Sequence, residues 1–165
     1  MSHTVATVCP LCHANGGVVI FHNDQLRVIQ VDEADEPGFA AFYRVVWQTH
    51  VAELSELTPA QRHICISAVV ALEQALRDEL QPTKINLAAL GNMVPHLHWH
   101  VVARFDWDSH FPAPIWAAAR RPVDAQRLAA VRAKNKQVHL AIVKNIAAQA
   151  VNAGAVGSFE FKESI

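Results

Sequence analysis

The segment His96-Leu97-His98-Trp99-His100-Val101-Val102 repeats histidine at every second position. In an extended chain a period of two aims all three imidazoles at one face, with Leu97, Trp99 and Val101 on the opposite, core-facing side. An imidazole can act as nucleophile, proton donor or metal ligand near neutral pH. The chain holds 10 histidines, but the other seven are scattered and do not alternate in this way. An internal run interleaved with large apolar residues is not an affinity tag. A purely structural row of histidines has no packing advantage on a strand. Two chemistries therefore stay open: a zinc-dependent hydrolase with His96, His98 and His100 as ligands, and catalysis by the imidazoles themselves.

The residues before this strand bear on the choice. Lys84 to Leu90 reads as a short apolar strand, and Gly91-Asn92 as the turn that returns the chain into the histidine strand. Backbone N–H groups around Gly91 and the side-chain amides of Asn86 and Asn92 are suited to phosphate oxygens. This favours a phosphorylated substrate over a catalytic metal. Arg104 lies four residues beyond His100 and so on the same strand face.

The elements that must position these groups follow from pattern and punctuation. Strands are expected at residues 17–21 and 25–31 around the His22-Asn23-Asp24 turn, then at 42–47, 85–90 and 97–104. Thr58-Pro59-Ala60-Gln61 is a capping box with proline at the first helical position. Cys65, Val69, Leu72, Leu76 and Leu80 follow at helical spacing, and the helix should end before Pro82. Residues 108–122 form a long loop containing proline and tryptophan. Asp124 can cap a further helix running towards Gly154, with Leu128, Val131, Val138, Ile142 and Ile146 on one stripe, interrupted by Asn135 and docked on the same core. Consecutive strands joined by short turns predict an α+β fold, an antiparallel sheet of about five strands with packed helices.

Composition fits a single domain of 165 residues, 1–165, with a C-terminal loop and helix at about 117–154. With 52% hydrophobic and 18% charged residues and a net charge of −1, neither disorder nor nucleic-acid binding is indicated. The longest near-apolar run, Ile64 to Leu72, is too short to span a bilayer, so no membrane partner is expected. Three cysteines, an odd number, argue against a disulfide framework and for the cytoplasm. Cys9-Pro10-Leu11-Cys12-His13 fits covalent haem attachment, but the first ten residues have neither the basic nor the apolar region of an export signal, so that reading is set aside.

His96-Leu97-His98-Trp99-His100-Val101-Val102 matches the His-φ-His-φ-His-φ-φ signature, φ being apolar, and on it the chain resembles the histidine-triad (HIT) nucleotide hydrolases and transferases. Arg104 follows where many members carry arginine, Gly91-Asn92 stands where the family usually has Gly-Gln, and Asn86 lies near an upstream polar residue that contacts the nucleotide. Phe111-Pro112-Ala113-Pro114-Ile115-Trp116 resembles a bacterial diadenosine-tetraphosphate-hydrolase-like branch. The resemblance covers about residues 9–116, the core of the domain, and implies a HIT-like fold and a homodimer. It implies a nucleotide substrate, such as a dinucleoside polyphosphate or nucleoside phosphoramidate, cleaved at an α-phosphate with no cofactor required for catalysis. His98 would be the nucleophile that forms a nucleotidyl-histidine. His100 would contact the phosphate or leaving-group oxygen, and His96 would orient the site. Asn86, Gly91, Asn92 and Arg104 would bind substrate. A non-catalytic nucleotide-binding module is the further alternative, against which the intact His98 argues.

Two positions depart from the family pattern. Met93 replaces a serine or threonine that commonly meets phosphate. Cys9 and Cys12 match the paired cysteines with which some bacterial members hold a structural zinc, yet residues 38–47 lack the histidine those members use. His13, His50, His96 or another residue would have to complete such a site.

Overall fold

Which side of each strand is buried follows from its alternation. In Phe42–Trp47, residues Tyr43, Val45 and Trp47 enter one large apolar cluster, while Phe42, Arg44 and Val46 face the other way. The structure, a computed structural model, describes residues 9–152. Its strands are β1 (Val18–His22), β2 (Leu26–Gln30), β3 (Phe42–Trp47), β4 (Lys84–Ala88) and β5 (His98–Arg104), forming one antiparallel sheet in the order β1-β2-β3-β5-β4. The expected strands lie within a residue or two of these, and the α+β reading holds. Helices pack on this sheet, and two of them lie near the C-terminal end.

The helix α2 (Pro59–Leu80) connects β3 to β4. The Gln61 N–H donates to Thr58 Oγ1 at 3.3 Å and the Thr58 N–H donates to Gln61 Oε1 at 2.9 Å, closing the capping box. It ends at Gln81, which takes a left-handed conformation (φ 48°) just before Pro82. Its buried stripe includes Cys65, Val69, Leu72 and Leu76 and joins the cluster beneath β3 and β5.

The single helix expected from Asp124 is instead two, α3 (Ala125–Arg132) and α4 (Asn135–Asn152), and Gly154 lies outside the described residues. Asp124 does cap α3, accepting the Arg127 N–H at 3.0 Å. The break comes where Lys134 bonds back three residues to Val131, and Asn135, a residue that competes for backbone hydrogen bonds, opens the next helix. The anticipated stripe survives the break: Leu128, Val138, Ile142 and Ile146 are all buried in the main cluster. Gln137 Nε2 meets Glu79 Oε2 at 2.5 Å and Asn145 Nδ2 donates to the Ala71 carbonyl at 3.4 Å, so α4 runs antiparallel to α2. Among the described residues no helix is long and apolar enough to cross a membrane.

Among the described residues, two small apolar clusters cover the opposite face of the sheet at its ends. At one end the short helix α1 (Pro10–His13), which was not expected, lays Leu11 over Ile29 and Val46. At the other, Phe39 and Ile115 from two loops pack on Val31, Phe42 and Val102. Arg44, His98 and His100 belong to this same face, through the pairings Arg44 with His100 and Val46 with His98.

If α4 is held by its buried stripe, Ile142→Ala, at a fully buried position, should cost about 2–5 kcal/mol. Leu140→Ala, on the exposed side of the same helix, should stay within about 0.5 kcal/mol. Urea denaturation of the two variants makes the comparison.

Candidate active site

β5 is hydrogen-bonded on both sides, to β3 and β4, so its alternation is held without slack. His96, just before the strand, is 0% exposed, and His98 and His100 are 8% and 7% exposed. His98 Nδ1 lies 2.6 Å from the His96 carbonyl, to which it donates, leaving Nε2 with the free lone pair. His96 is oriented by its own Nε2, 2.6 Å from the Trp47 carbonyl, so its Nδ1 carries the lone pair. The His100 ring stands edge-on to His98 (4.8 Å between centroids) and to Trp116 (5.4 Å), and its Nδ1 is buried without a hydrogen-bond partner among the described residues.

Burial keeps these rings neutral. It lowers the His98 pKa below that of an ordinary histidine, against the opposing effect of the His96 carbonyl. His100 is lowered to about 3, by burial first and then by the charges of His98 and Arg44. A neutral imidazole with a defined tautomer is what attack on phosphorus requires.

The anticipated substrate contacts separate into two groups. Gly91, in a left-handed conformation (φ 70°) that suits glycine, lines a pocket of about 70 Å³ shared with His96 and His98. Asn86 sits on β4, on the triad's face of the sheet. Its Oδ1 accepts from Arg104 Nη1 at 2.7 Å. Asn92 is exposed, and Met93 is 93% exposed, directed away from the buried triad. Arg104 is 1% exposed, and internal partners take up its guanidinium: both oxygens of Asp108, at 2.7 and 3.0 Å, and the Ala113 carbonyl at 2.9 Å. Asp108 also accepts the N–H groups of His110 and Phe111, so this ion pair fastens the loop carrying Ile115 and Trp116 beside the triad. A larger open groove of about 610 Å³, between α2 and α4, has none of the triad in its lining.

Cys9 Sγ, Cys12 Sγ, His50 Nδ1 and His96 Nδ1 lie within 4.8 Å of one another. His96 Nδ1 is 3.4 Å from Cys9 Sγ, 3.5 Å from Cys12 Sγ and 3.3 Å from His50 Nδ1, and Cys12 Sγ is 3.3 Å from His50 Nδ1. A tetrahedral zinc with two sulfur and two nitrogen ligands has edges of about 3.3–3.8 Å, so the donor set fits. Of the three histidines considered for completing the site, His50 and His96 converge on the cysteines, and His13 is not in the group. His98 and His100 belong to no such group among the described residues.

Sequence reasoning passed over Arg44, which the sheet places directly opposite His100. The signal was one cation in the otherwise apolar run Phe42-Tyr43-Arg44-Val45-Val46-Trp47.

The HIT domain family model matches residues 14–107, more than half of the chain. No curated protein sequence matches it. Among solved structures, a histidine triad protein from Sinorhizobium meliloti is 22% identical with a TM-score of 0.62, the match covering 87% of this chain and 99% of that one. A histidine triad protein from Bradyrhizobium japonicum is 21% identical with a TM-score of 0.61, covering 80% and 92%. A zinc-bound histidine triad family protein from Mycobacterium smegmatis is 20% identical with a TM-score of 0.52, covering 85% and 96%. At these identities the likeness is one of fold.

His100 binds a proton near pH 6.5 in the unfolded chain but only near 3 in the folded one, so falling pH favours unfolding. Its contribution to stability is complete above pH 6.5 and is lost at up to about 1.4 kcal/mol per pH unit below it. Guanidinium denaturation between pH 7 and 4.5 should show a shallower decline for His100→Asn than for the parent protein.

Proposed function

Because the chain belongs to the HIT domain family, we propose that it is a nucleotidyl hydrolase or transferase that cleaves at an α-phosphate through a nucleotide held covalently on His98. The observation that carries this is the 2.6 Å hydrogen bond from His98 Nδ1 to the His96 carbonyl, which leaves Nε2 as a neutral nucleophile. Attack forms a P–N bond and breaks the bond from phosphorus to the leaving group. The imidazolium that results shares its positive charge with Nδ1–H, whose acceptor is already in place. His100 contacts the phosphate or leaving-group oxygen. The N–H groups near Gly91 and the amides of Asn86 and Asn92 bind the phosphoryl oxygens, with Arg104 holding Asn86 in position. Water, or an acceptor in a transferase, then takes the nucleotide from His98. The substrates that fit are dinucleoside polyphosphates, as in the diadenosine-tetraphosphate-hydrolase-like branch, and nucleoside phosphoramidates. A zinc hydrolase built on His96, His98 and His100 is disfavoured, because the Cys/His cluster enlists only His96 of the three.

Cys9, Cys12, His50 and His96 would hold a structural zinc, as the bound metal of the Mycobacterium smegmatis relative suggests. When bound, the metal supplies a cross-link between α1, the segment after β3 and the start of β5, and no chemistry at phosphorus. His96 keeps its bond to Trp47 without it, so the orientation of His98 survives. Three free thiols fit a cytoplasmic setting. The chain pairs as a homodimer through the β4 side of the sheet, where Leu87 on β4 and Ile66 and Val70 on α2 are exposed.

His98→Ala should abolish turnover of adenylate substrates, by at least about a thousandfold, while calorimetry still detects AMP binding. During turnover by the parent protein, an alkaline quench and peptide mass mapping should find the nucleotide on His98, since a P–N bond to imidazole survives base. Activity of His98→Ala within tenfold of the parent, or label on another residue, would remove the assignment.

Elemental analysis of protein purified without metal resin should find one zinc per chain, lost in Cys9→Ser and Cys12→Ser. Chelation should lower the melting temperature and leave the initial rate unchanged. A rate that collapses at unchanged melting temperature would point to a catalytic metal instead.

A further inference from the structure

Three arginines rise from the face of the sheet that carries the triad, and two of them are fully engaged. Arg27 donates to Gln48 Oε1 at 2.7 Å and to the carbonyls of Leu11 (2.7 Å), Ala14 and Asn15 (both 3.3 Å). Arg104 is saturated by Asp108, Asn86 and Ala113. Arg44 differs: among the described residues its guanidinium makes no hydrogen bond and no ion pair, and its Nε is buried without a partner. It rests over the Phe42 ring, 5.5 Å from the centroid. A buried donor left unpaired is costly, and the rest of this half-buried guanidinium reaches solvent, so it is open to a partner from solution.

The position of Arg44 says what that partner is. Cross-strand pairing sets it opposite His100, whose Nδ1 is itself buried and unpartnered and whose residue is 7% exposed. Directly opposed side chains on an antiparallel pair lie within about 5 Å at Cβ, so two unsatisfied groups share one spot. This spot is on the side of His98 where His100 meets the leaving group, if the function proposed above is correct. A guanidinium presents a planar fork of donors that matches two phosphate oxygens. We propose that Arg44 binds a second phosphate, on the leaving group, and so selects substrates whose leaving group is a phosphate chain over those whose leaving group is a neutral amine. Glu36 and Asp35 are the carboxylates whose charges Arg44 feels, but neither is within ion-pair distance of it. They help keep the guanidinium charged, and an incoming phosphate has to outcompete them for it.

The test compares Arg44→Gln and Arg44→Lys with the parent protein on two adenylates, a dinucleoside polyphosphate and an adenosine phosphoramidate of a neutral amine. In Arg44→Gln the ratio of kcat/KM for the polyphosphate to that for the phosphoramidate should fall about 10- to 100-fold, the range for losing charge-assisted hydrogen bonds. Arg44→Lys should recover part of it. The melting temperature of Arg44→Gln should stay close to the parent's, because no internal hydrogen bond or ion pair is abandoned and the Phe42 contact is a weak one; a structural arginine would give a clear drop. An unchanged ratio, a ratio that moves in favour of the polyphosphate, or a lowered melting temperature overturns the proposal. A separate arm measures binding to His98→Ala, with and without Arg44→Gln, using AMP and a non-hydrolysable dinucleoside polyphosphate. The affinity gained from the extra phosphates should vanish with Arg44. That arm reads the subsite whether or not His98 proves to be the nucleophile, so the two readings fail separately.

Discussion

The site depends on β5 lying inside the sheet, hydrogen-bonded to β3 on one side and β4 on the other. A strand paired on both edges cannot slip by one residue without sending every side chain to the wrong face. Here the wrong face would put imidazoles into the apolar cluster and expose Val101 and Ala103, which are 0% and 2% exposed. The hydrophobic layer under α2 and α4 thus holds the three histidines on the other side, although it touches none of the chemistry directly.

His96 joins two functions that the sequence presents as separate. One ring nitrogen is tied to the Trp47 carbonyl and the other faces Cys9, Cys12 and His50, while its own carbonyl orients His98. The Cys/His cluster and the orientation of His98 therefore meet at one residue, and α1 lies against the segment that opens β5. At the opposite end of β5, Arg104 and Asp108 do comparable work for the loop that ends at Trp116. Burial raises the Asp108 pKa, but the hydrogen bond from Arg104 and the loop N–H groups outweigh it, so the carboxyl stays below its ordinary value and the pair stays charged.

Much was legible from the chain itself because it depends on neighbours in sequence. The period of two at His98 and His100, the capping box at Thr58, the stop before Pro82 and the turn at Gly91 are local geometry, and each is observed; His96 lies in a bend just before the strand. The five strands and the HIT signature follow from the same short-range patterning. The break between α3 and α4 is also local, yet the apolar stripe continues in phase across it, so pattern alone read one helix.

Contacts between residues far apart in the chain were decided only by the tertiary structure. His50 and His13 were equal candidates beside the cysteines, and only the fold brings His50 Nδ1 to Cys12 across 38 positions and leaves His13 out of the group. The family resemblance made Arg104 a substrate contact, and the return of Asp108 and Asn86 to its guanidinium makes it an internal clamp. Arg44 had no motif to mark it, because its meaning lies in a partner it lacks and in the cross-strand register that sets it opposite His100. Periodicity specifies the face on which a side chain stands. What meets it there is set by sheet order and loop return, which are long-range properties of the folded chain.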